Sequence, residues 1–66
     1  MLGTRIASLR QNYGLSQAQL AQKLHISTST VGMYEQGRRE PSVETLITLS
    51  QLFGVSLDYL LSGRPD

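Results

Sequence analysis

Apolar residues recur along this chain at helical spacing. In the first segment they stand at Leu2, Ile6, Leu9 and Tyr13, which are four, three and four residues apart. This spacing is the stripe of an amphipathic helix. Nowhere does the sequence alternate apolar and polar residues for long enough to form a strand. The pattern therefore predicts an all-α protein whose first helix covers about residues 2–13.

Serines mark the starts of the later helices. Three of them are preceded by an apolar residue and followed four positions later by another, and these are Ser16, Ser27 and Ser56. A serine in this setting caps a helix N-terminus, and the two apolar residues close over it as a hydrophobic staple. Gln19, three residues after Ser16, is expected to complete a capping box with it. Ser42 is a fourth start, since Glu44 carries a charge that suits a helix N-terminus.

Glycines mark the ends. Four of them follow helix-like segments and can take the left-handed conformation that ends a helix, namely Gly14, Gly37, Gly54 and Gly63. Starts and ends together predict five helices in a single domain over residues 1–66, at about 2–13, 17–24, 28–36, 43–53 and 57–62.

The link between the second and third predicted helices is only three residues long, from Leu24 to Ile26. So short a turn is typical of a helix-turn-helix unit, here over about residues 16–36. His25 is expected to occupy the left-handed position of the turn at modest strain. As a lone histidine without a second ligand nearby, it is expected to be a turn residue rather than a metal or catalytic site.

The third helix has an unusual outer face. Because successive residues of a helix are 100° apart, Val31 and Tyr34 lie on the same side of it and are expected in the core. The opposite side carries no charge and consists of Thr28, Ser29, Gly32, Met33 and Gln36. Because a solvated helix face normally carries several charges, this one is expected to approach another surface closely. For Gly32 alone, the alternative is a tolerated surface glycine that costs roughly 1 kcal/mol of helix stability.

Charge is unevenly distributed. The formal net charge is +1, but residues 1–39 carry +4 and residues 40–66 carry −3. The asymmetry suggests one cationic face, with scattered solvated charge as the alternative. Helix N-termini and arginines suit phosphates. The expected phosphate contacts are Gln17, Ser27, Thr30, Gln36, Arg38 and Arg39. The alternatives are a solvated loop for the two arginines and a plain surface side chain for Gln17.

Composition excludes several functions. Without cysteine the chain has neither disulfides nor a thiolate metal site. One histidine and no clustered carboxylates assemble no catalytic or metal constellation, so an enzyme, a cofactor and a metal are not expected. No apolar run approaches the length of a membrane span, and no secretory signal is seen. The expected location is the cytoplasm.

The motifs together resemble the phage-repressor and Cro-like family, also called the XRE-type helix-turn-helix family. They are LSQAQLA at 15–21, IS at 26–27, YEQG at 34–37, PS at 41–42 and LFGVSLDYLL at 52–61. The resemblance covers nearly the whole chain. It implies a compact five-helix, lambda-repressor-like DNA-binding domain with the helix-turn-helix at helices 2 and 3.

The resemblance also implies roles for individual residues. Gln17 would grip a phosphate, and Arg10 with Glu35 would form an ion pair tying the first helix to the third. The implied base contacts are Thr28, Ser29 and Met33, and Gly32 on the same face is expected to join them. The chain departs from the family at His25, which replaces the usual turn glycine, and at Gly32. Positions 28, 29 and 33 also lack Gln, Asn and Arg, the residues that make bidentate base contacts, so thymine methyl contacts and DNA shape are expected to contribute more to specificity.

The expected function is a sequence-specific transcriptional regulator, a repressor that binds an inverted repeat in double-stranded DNA as a dimer. The helix at 28–36 would lie in the major groove. Leu57 and Leu61 are expected to meet their symmetry mates, with completion of the monomer core as the alternative. The competing function is an antitoxin-type interaction module that neutralises a toxin and also binds DNA. If the chain is a regulator, it could be a restriction-modification controller instead of a phage-type repressor.

Overall fold

A computed structural model describes residues 1–65 and shows five α-helices in that range. They are α1 (Leu2–Asn12), α2 (Gln17–Leu24), α3 (Thr28–Gln36), α4 (Val43–Phe53) and α5 (Leu57–Ser62). Residues 1–65 contain no strand. The all-α, five-helix prediction is confirmed, and α2 to α5 have the predicted bounds.

Each of the four later helices begins at its predicted serine. The side chains of Ser16, Ser27, Ser42 and Ser56 each accept a hydrogen bond from a backbone N–H three residues ahead. At Ser16 the capping box is complete, because Gln19 Oε1 also accepts from the Ser16 N–H at 2.8 Å. A cap of this kind contributes about 1 kcal/mol, so these helix starts are specified locally.

The turn between α2 and α3 has the predicted strained residue. His25 is the one non-glycine with a positive φ among residues 1–65, at 58°. Two backbone bonds close the end of α2, from the His25 N–H to the Gln22 carbonyl and from the Ile26 N–H to the Ala21 carbonyl. Gly37, Gly54 and Gly63 end the next three helices in the same left-handed region. The short turn therefore sets the angle at which α3 leaves α2.

All five helices contribute to one apolar core. Its buried side chains are Ile6, Leu9, Leu20, Ala21, Val31, Tyr34, Leu49, Phe53 and Leu60. The staple residues Leu15, Ile26 and Val55 pack half-buried against it. α3 contacts both α1 and α2, while α5 contacts α1 and α4. Val31 and Tyr34 are buried as predicted.

The end of α1 differs from the prediction. Tyr13 is the C-cap and not part of the helix, which ends at Asn12. Its hydroxyl donates to the Phe53 carbonyl at 2.8 Å, and its ring lies edge-on to the Phe53 ring with centroids 5.1 Å apart. Tyr13 therefore joins the end of α1 to the end of α4.

α1 and α3 approach each other at Gly3, which is buried. A Cβ placed there would lie 2.7 Å from the Glu35 carbonyl oxygen and closer still to that of Tyr34. Both obstacles are backbone atoms, so neither can move aside by changing rotamer. The absence of a side chain at Gly3 therefore determines how closely α1 packs on the end of α3.

The side chain of Arg5 in α1 binds the last turn of α5. Arg5 Nε donates to the Leu60 carbonyl at 3.0 Å, and Nη2 donates to the Leu61 carbonyl at 3.2 Å. α5 has no basic residue in its own last turn. Arg5 therefore satisfies carbonyls at a helix C-terminus, where positive charge is favoured, and does not serve the outer face of α3.

Candidate nucleic-acid interface

The structure brings the predicted base-contact residues together on the side of α3 that faces away from the core. Thr28 and Ser29 are exposed, and Gly32 and Met33 are half-buried. Val31 and Tyr34 hold the other side of the helix in the core. The outer face is uncharged, small at Gly32 and bears a thioether at Met33. Such a face can lie against a base-pair edge without desolvating a charge.

A cluster of hydroxyl groups stands at the N-terminus of α3. Ser27 Oγ lies 2.7 Å from Thr30 Oγ1 and 3.0 Å from Ser29 Oγ. It also accepts a hydrogen bond from the Thr30 N–H at 3.2 Å. A helix N-terminus favours negative charge, and hydroxyl groups can turn their protons toward it. The cluster therefore suits a phosphate at the entry to the outer face.

Arg10 and Glu35 form a two-point ion pair between α1 and α3. Arg10 Nε donates to Glu35 Oε2 at 2.6 Å, and Nη2 donates to Oε1 at 3.1 Å. The side chains are 13% and 9% exposed, and Arg10 Nη1 also donates to the Leu15 carbonyl at 2.9 Å. The hydrogen bond to Glu35, helped by its negative charge and opposed by burial, raises the pKa of Arg10. The pair ties the last turn of α3 to α1.

Gln17 lies at the first position of α2 and is half-buried. Its Nε2 donates to Glu35 Oε1 at 3.0 Å, and the same nitrogen would be 3.9 Å from a Cβ placed on Gly32. The side chain therefore reaches across to α3 beside Gly32. Reasoning from sequence selected Gln17 for its place at a helix N-terminus but missed its bond to Glu35.

The loop after α3 carries the flanking positive charge. Arg38 and Arg39 are both exposed, as is Gln36 at the end of the helix. The Arg38 N–H donates to the Met33 carbonyl at 2.9 Å, which keeps the loop against the end of α3. The loop thus carries two exposed arginines directly after the end of α3, as the sequence predicted for phosphate contacts.

The predicted dimer residues lie on the exposed side of α5. Leu57 is 38% exposed and Leu61 is 53% exposed, whereas Leu60 between them is fully buried. Neither leucine belongs to the buried core of the monomer, which disfavours the alternative that they complete it.

Residues 1–65 contain no group of three or more His, Cys, Asp or Glu side chains placed to hold a metal ion. None of the helices in this range has both the length and the apolar character needed to cross a membrane.

Comparison with known proteins is consistent with this geometry. A helix-turn-helix family model matches residues 6–60. The HTH-type transcriptional regulator ImmR of Bacillus subtilis is 43% identical over 60 residues, which are 91% of this chain and 47% of that protein. The chain spans about half the length of ImmR and of two further curated regulators of Bacillus subtilis that it matches.

Two solved structures with bound DNA share the fold. The P22 c2 repressor in complex with a synthetic operator is 33% identical, with a TM-score of 0.90 over 97% of each chain. The biofilm master regulator SinR in complex with DNA is 32% identical, with a TM-score of 0.83 over 94% of this chain and 100% of that one. The chain therefore belongs to the helix-turn-helix family, in its phage-repressor type.

Proposed function

We propose that this chain is the DNA-binding domain of a sequence-specific transcriptional regulator, a repressor that places α3 in the major groove. The observation that carries the proposal is the uncharged outer face of α3, flanked by Arg38 and Arg39. It is supported by the match over 97% of the chain to a repressor whose structure was solved on its operator. Selection of bound sequences from a random DNA pool tests it, and failure to enrich any sequence would contradict it.

The contacts divide into two classes. Base edges would meet the residues on the outer face, namely Thr28, Ser29, Gly32 and Met33. Phosphates would meet the residues around it, namely Gln17, Ser27, Thr30, Gln36, Arg38 and Arg39. Phosphate contacts fix the register of a protein on DNA, and base contacts provide specificity. With no Arg, Gln or Asn at the base-reading positions, methyl contacts with thymine and the shape of the groove would provide much of the discrimination.

An antitoxin role is not favoured. The relatives and the DNA complexes described above are named as transcriptional regulators and repressors. The family is one of DNA-binding regulators, and we infer that this chain acts on DNA in the cytoplasm without catalysis or cofactor. Salt-sensitive DNA binding by the isolated chain would separate the regulator from a module that acts on protein alone.

DNA binding should weaken steeply as salt is raised, because cations on the protein displace counterions from DNA. Arg39→Ala should lower affinity for all sequences and flatten the slope of log affinity against log salt by about one unit. Arg64→Ala is the matched control, since it removes the same charge from an exposed residue beyond α5. An affinity that does not change between low and physiological salt would contradict the phosphate contacts.

Met33→Ala and Ser29→Ala should alter base preference more than they alter non-specific binding. Each contact is worth at most about 1–3 kcal/mol, and less here because no bidentate hydrogen bond is involved. Affinities of both variants for the selected site and for random DNA of the same length provide the measurement. Equal losses on the two DNAs would show that these side chains do not read bases.

We also propose that two copies bind DNA together through α5. Leu57 and Leu61 are one turn apart, and their exposure of 38% and 53% supports an apolar contact outside the core. Such a contact is small, so the pair would form fully only on DNA. Two α3 helices about 34 Å apart would then read an inverted repeat with half-sites one DNA turn apart.

Leu57→Asp should abolish cooperative binding to the full site and leave binding to a half-site intact, because a carboxylate would be buried in the dimer contact. Circular dichroism should show unchanged helical content, since this side chain is partly exposed in the monomer. A variant that fails to fold would place Leu57 in the core. An unchanged two-site binding curve would remove this surface from the interface.

A further inference from the structure

A three-residue network joins α1, α2 and α3 at the edge of the proposed DNA-binding face. It consists of Arg10, Glu35 and Gln17, with Glu35 in the middle. We propose that Glu35 is a positioning residue for DNA binding. Its carboxylate holds the Gln17 amide in place for a phosphate, and Arg10 neutralises the charge of that carboxylate. The inference rests on the proposed function and assigns to the ion pair a role beyond stabilising the fold.

The geometry leaves Glu35 little freedom. Its Oε2 accepts from Arg10 Nε at 2.6 Å, while its Oε1 accepts from both Arg10 Nη2 and Gln17 Nε2. The side chain is only 9% exposed. Arg10 is fixed from the other side as well, because its Nη1 donates to the Leu15 carbonyl. The Glu35 carboxylate is therefore held in one position, where it accepts a hydrogen bond from the Gln17 amide.

A fixed acceptor determines what Gln17 can do. Its Nε2 carries two hydrogens, and the bond to Glu35 uses one. The second remains to donate to a phosphate oxygen near the N-terminus of α2. A free glutamine side chain loses considerable rotamer entropy when it is ordered. Gln17 is already ordered in the free protein, so that loss does not fall on DNA binding.

Arg10 makes the arrangement compatible with an anion. A phosphate approaching Gln17 would otherwise meet the negative charge of Glu35 in a poorly solvated place, where repulsion is strong. The two-point ion pair cancels that charge at close range. The network thus presents a neutral donor to DNA and contributes affinity without adding to its salt dependence.

The first test needs no DNA. Relaxation of the side-chain amide nitrogens by NMR should show Gln17 to be more rigid than Gln22, which lies exposed on the same helix. In the paired variant Arg10→Met with Glu35→Met, the Gln17 amide should become as mobile as that of Gln22. Equal mobility of the two amides in the unmodified chain would overturn the inference.

The second test is a cycle of DNA affinities that combines the paired variant with Gln17→Met. The paired variant leaves the net charge unchanged, so long-range electrostatics do not obscure the result. It should weaken DNA binding about fivefold when Gln17 is present and have no effect in the Gln17→Met background. The same loss in both backgrounds would overturn the inference, because the pair would then act through the fold alone.

The two levels of proposal fail in different ways. Absence of salt-sensitive DNA binding by the unmodified chain would overturn the proposed function. Normal DNA binding together with a mobile Gln17, or with additive effects in the cycle, would overturn only the positioning role of Glu35.

Discussion

Gly3→Ala is expected to destabilise the domain by about 3 kcal/mol, at the upper end of the usual cost of overpacking. The added methyl would clash with the carbonyl oxygens of Tyr34 and Glu35, so α1 must shift as a unit or unwind its first turn. The clash must also overcome the roughly 1 kcal/mol by which alanine favours a helix over glycine. Thermal unfolding should show a midpoint lowered by roughly 12–24 °C.

Gly32→Ala is the matched control, since it makes the same chemical change inside another helix. There the nearest atom to an added Cβ is Gln17 Nε2 at 3.9 Å, an ordinary contact. The variant should be more stable than the unmodified chain by up to about 1 kcal/mol. The two substitutions, each of a glycine inside a helix, are therefore expected to change the stability of the domain in opposite directions. Stabilisation by both substitutions would show that α1 does not approach α3 as closely as the structure has it.

Arg10→Met should cost about 3 kcal/mol of unfolding free energy. The substitution removes three hydrogen bonds and leaves the Glu35 carboxylate, 9% exposed, without its counter-charge. Breaking a buried pair from one side costs about 3–5 kcal/mol, and the lower figure applies here because water still reaches both groups. Urea unfolding monitored by circular dichroism provides the measurement.

Replacing both partners should cost less than replacing one. Arg10→Met together with Glu35→Met removes both charges and fills the space with apolar side chains, a change that is often close to neutral for buried pairs. A double-mutant cycle should therefore show strong coupling between the two positions. A coupling below about 1 kcal/mol would be that of an ordinary surface ion pair.

The accuracy of the helix bounds has a local cause. Each of α2 to α5 starts at a serine that caps its own backbone, and each ends at a residue in the left-handed conformation. These interactions span three to five residues, so a short stretch of sequence contains all the information. The core side of α3 was predictable for the same reason, since the positions of Val31 and Tyr34 follow from helical periodicity.

What the sequence did not reveal depends on distant partners. Gly3 in α1 looks like an unfavourable helix residue until α3 is placed against it. Arg5 was counted with the cationic half, yet its partners are carbonyls 55 and 56 residues away. Gln17 was recognised as a helix-start residue, whereas its bond to Glu35 requires the angle between α2 and α3. No local pattern encodes these contacts, because each depends on how two helices pack.

The contact of Arg5 with the last turn of α5 has a consequence for how the protein is made. On the ribosome, α1 is synthesised early, but the carbonyls that its arginine binds belong to Leu60 and Leu61. α2 and α3 contact each other across a three-residue turn and can pair while synthesis continues. The chain must then close a loop of nearly its whole length before α1 and α5 can lock together. Nascent chains that stop before residue 60 should therefore remain open and be degraded readily, and the domain should close only after α5 has been synthesised.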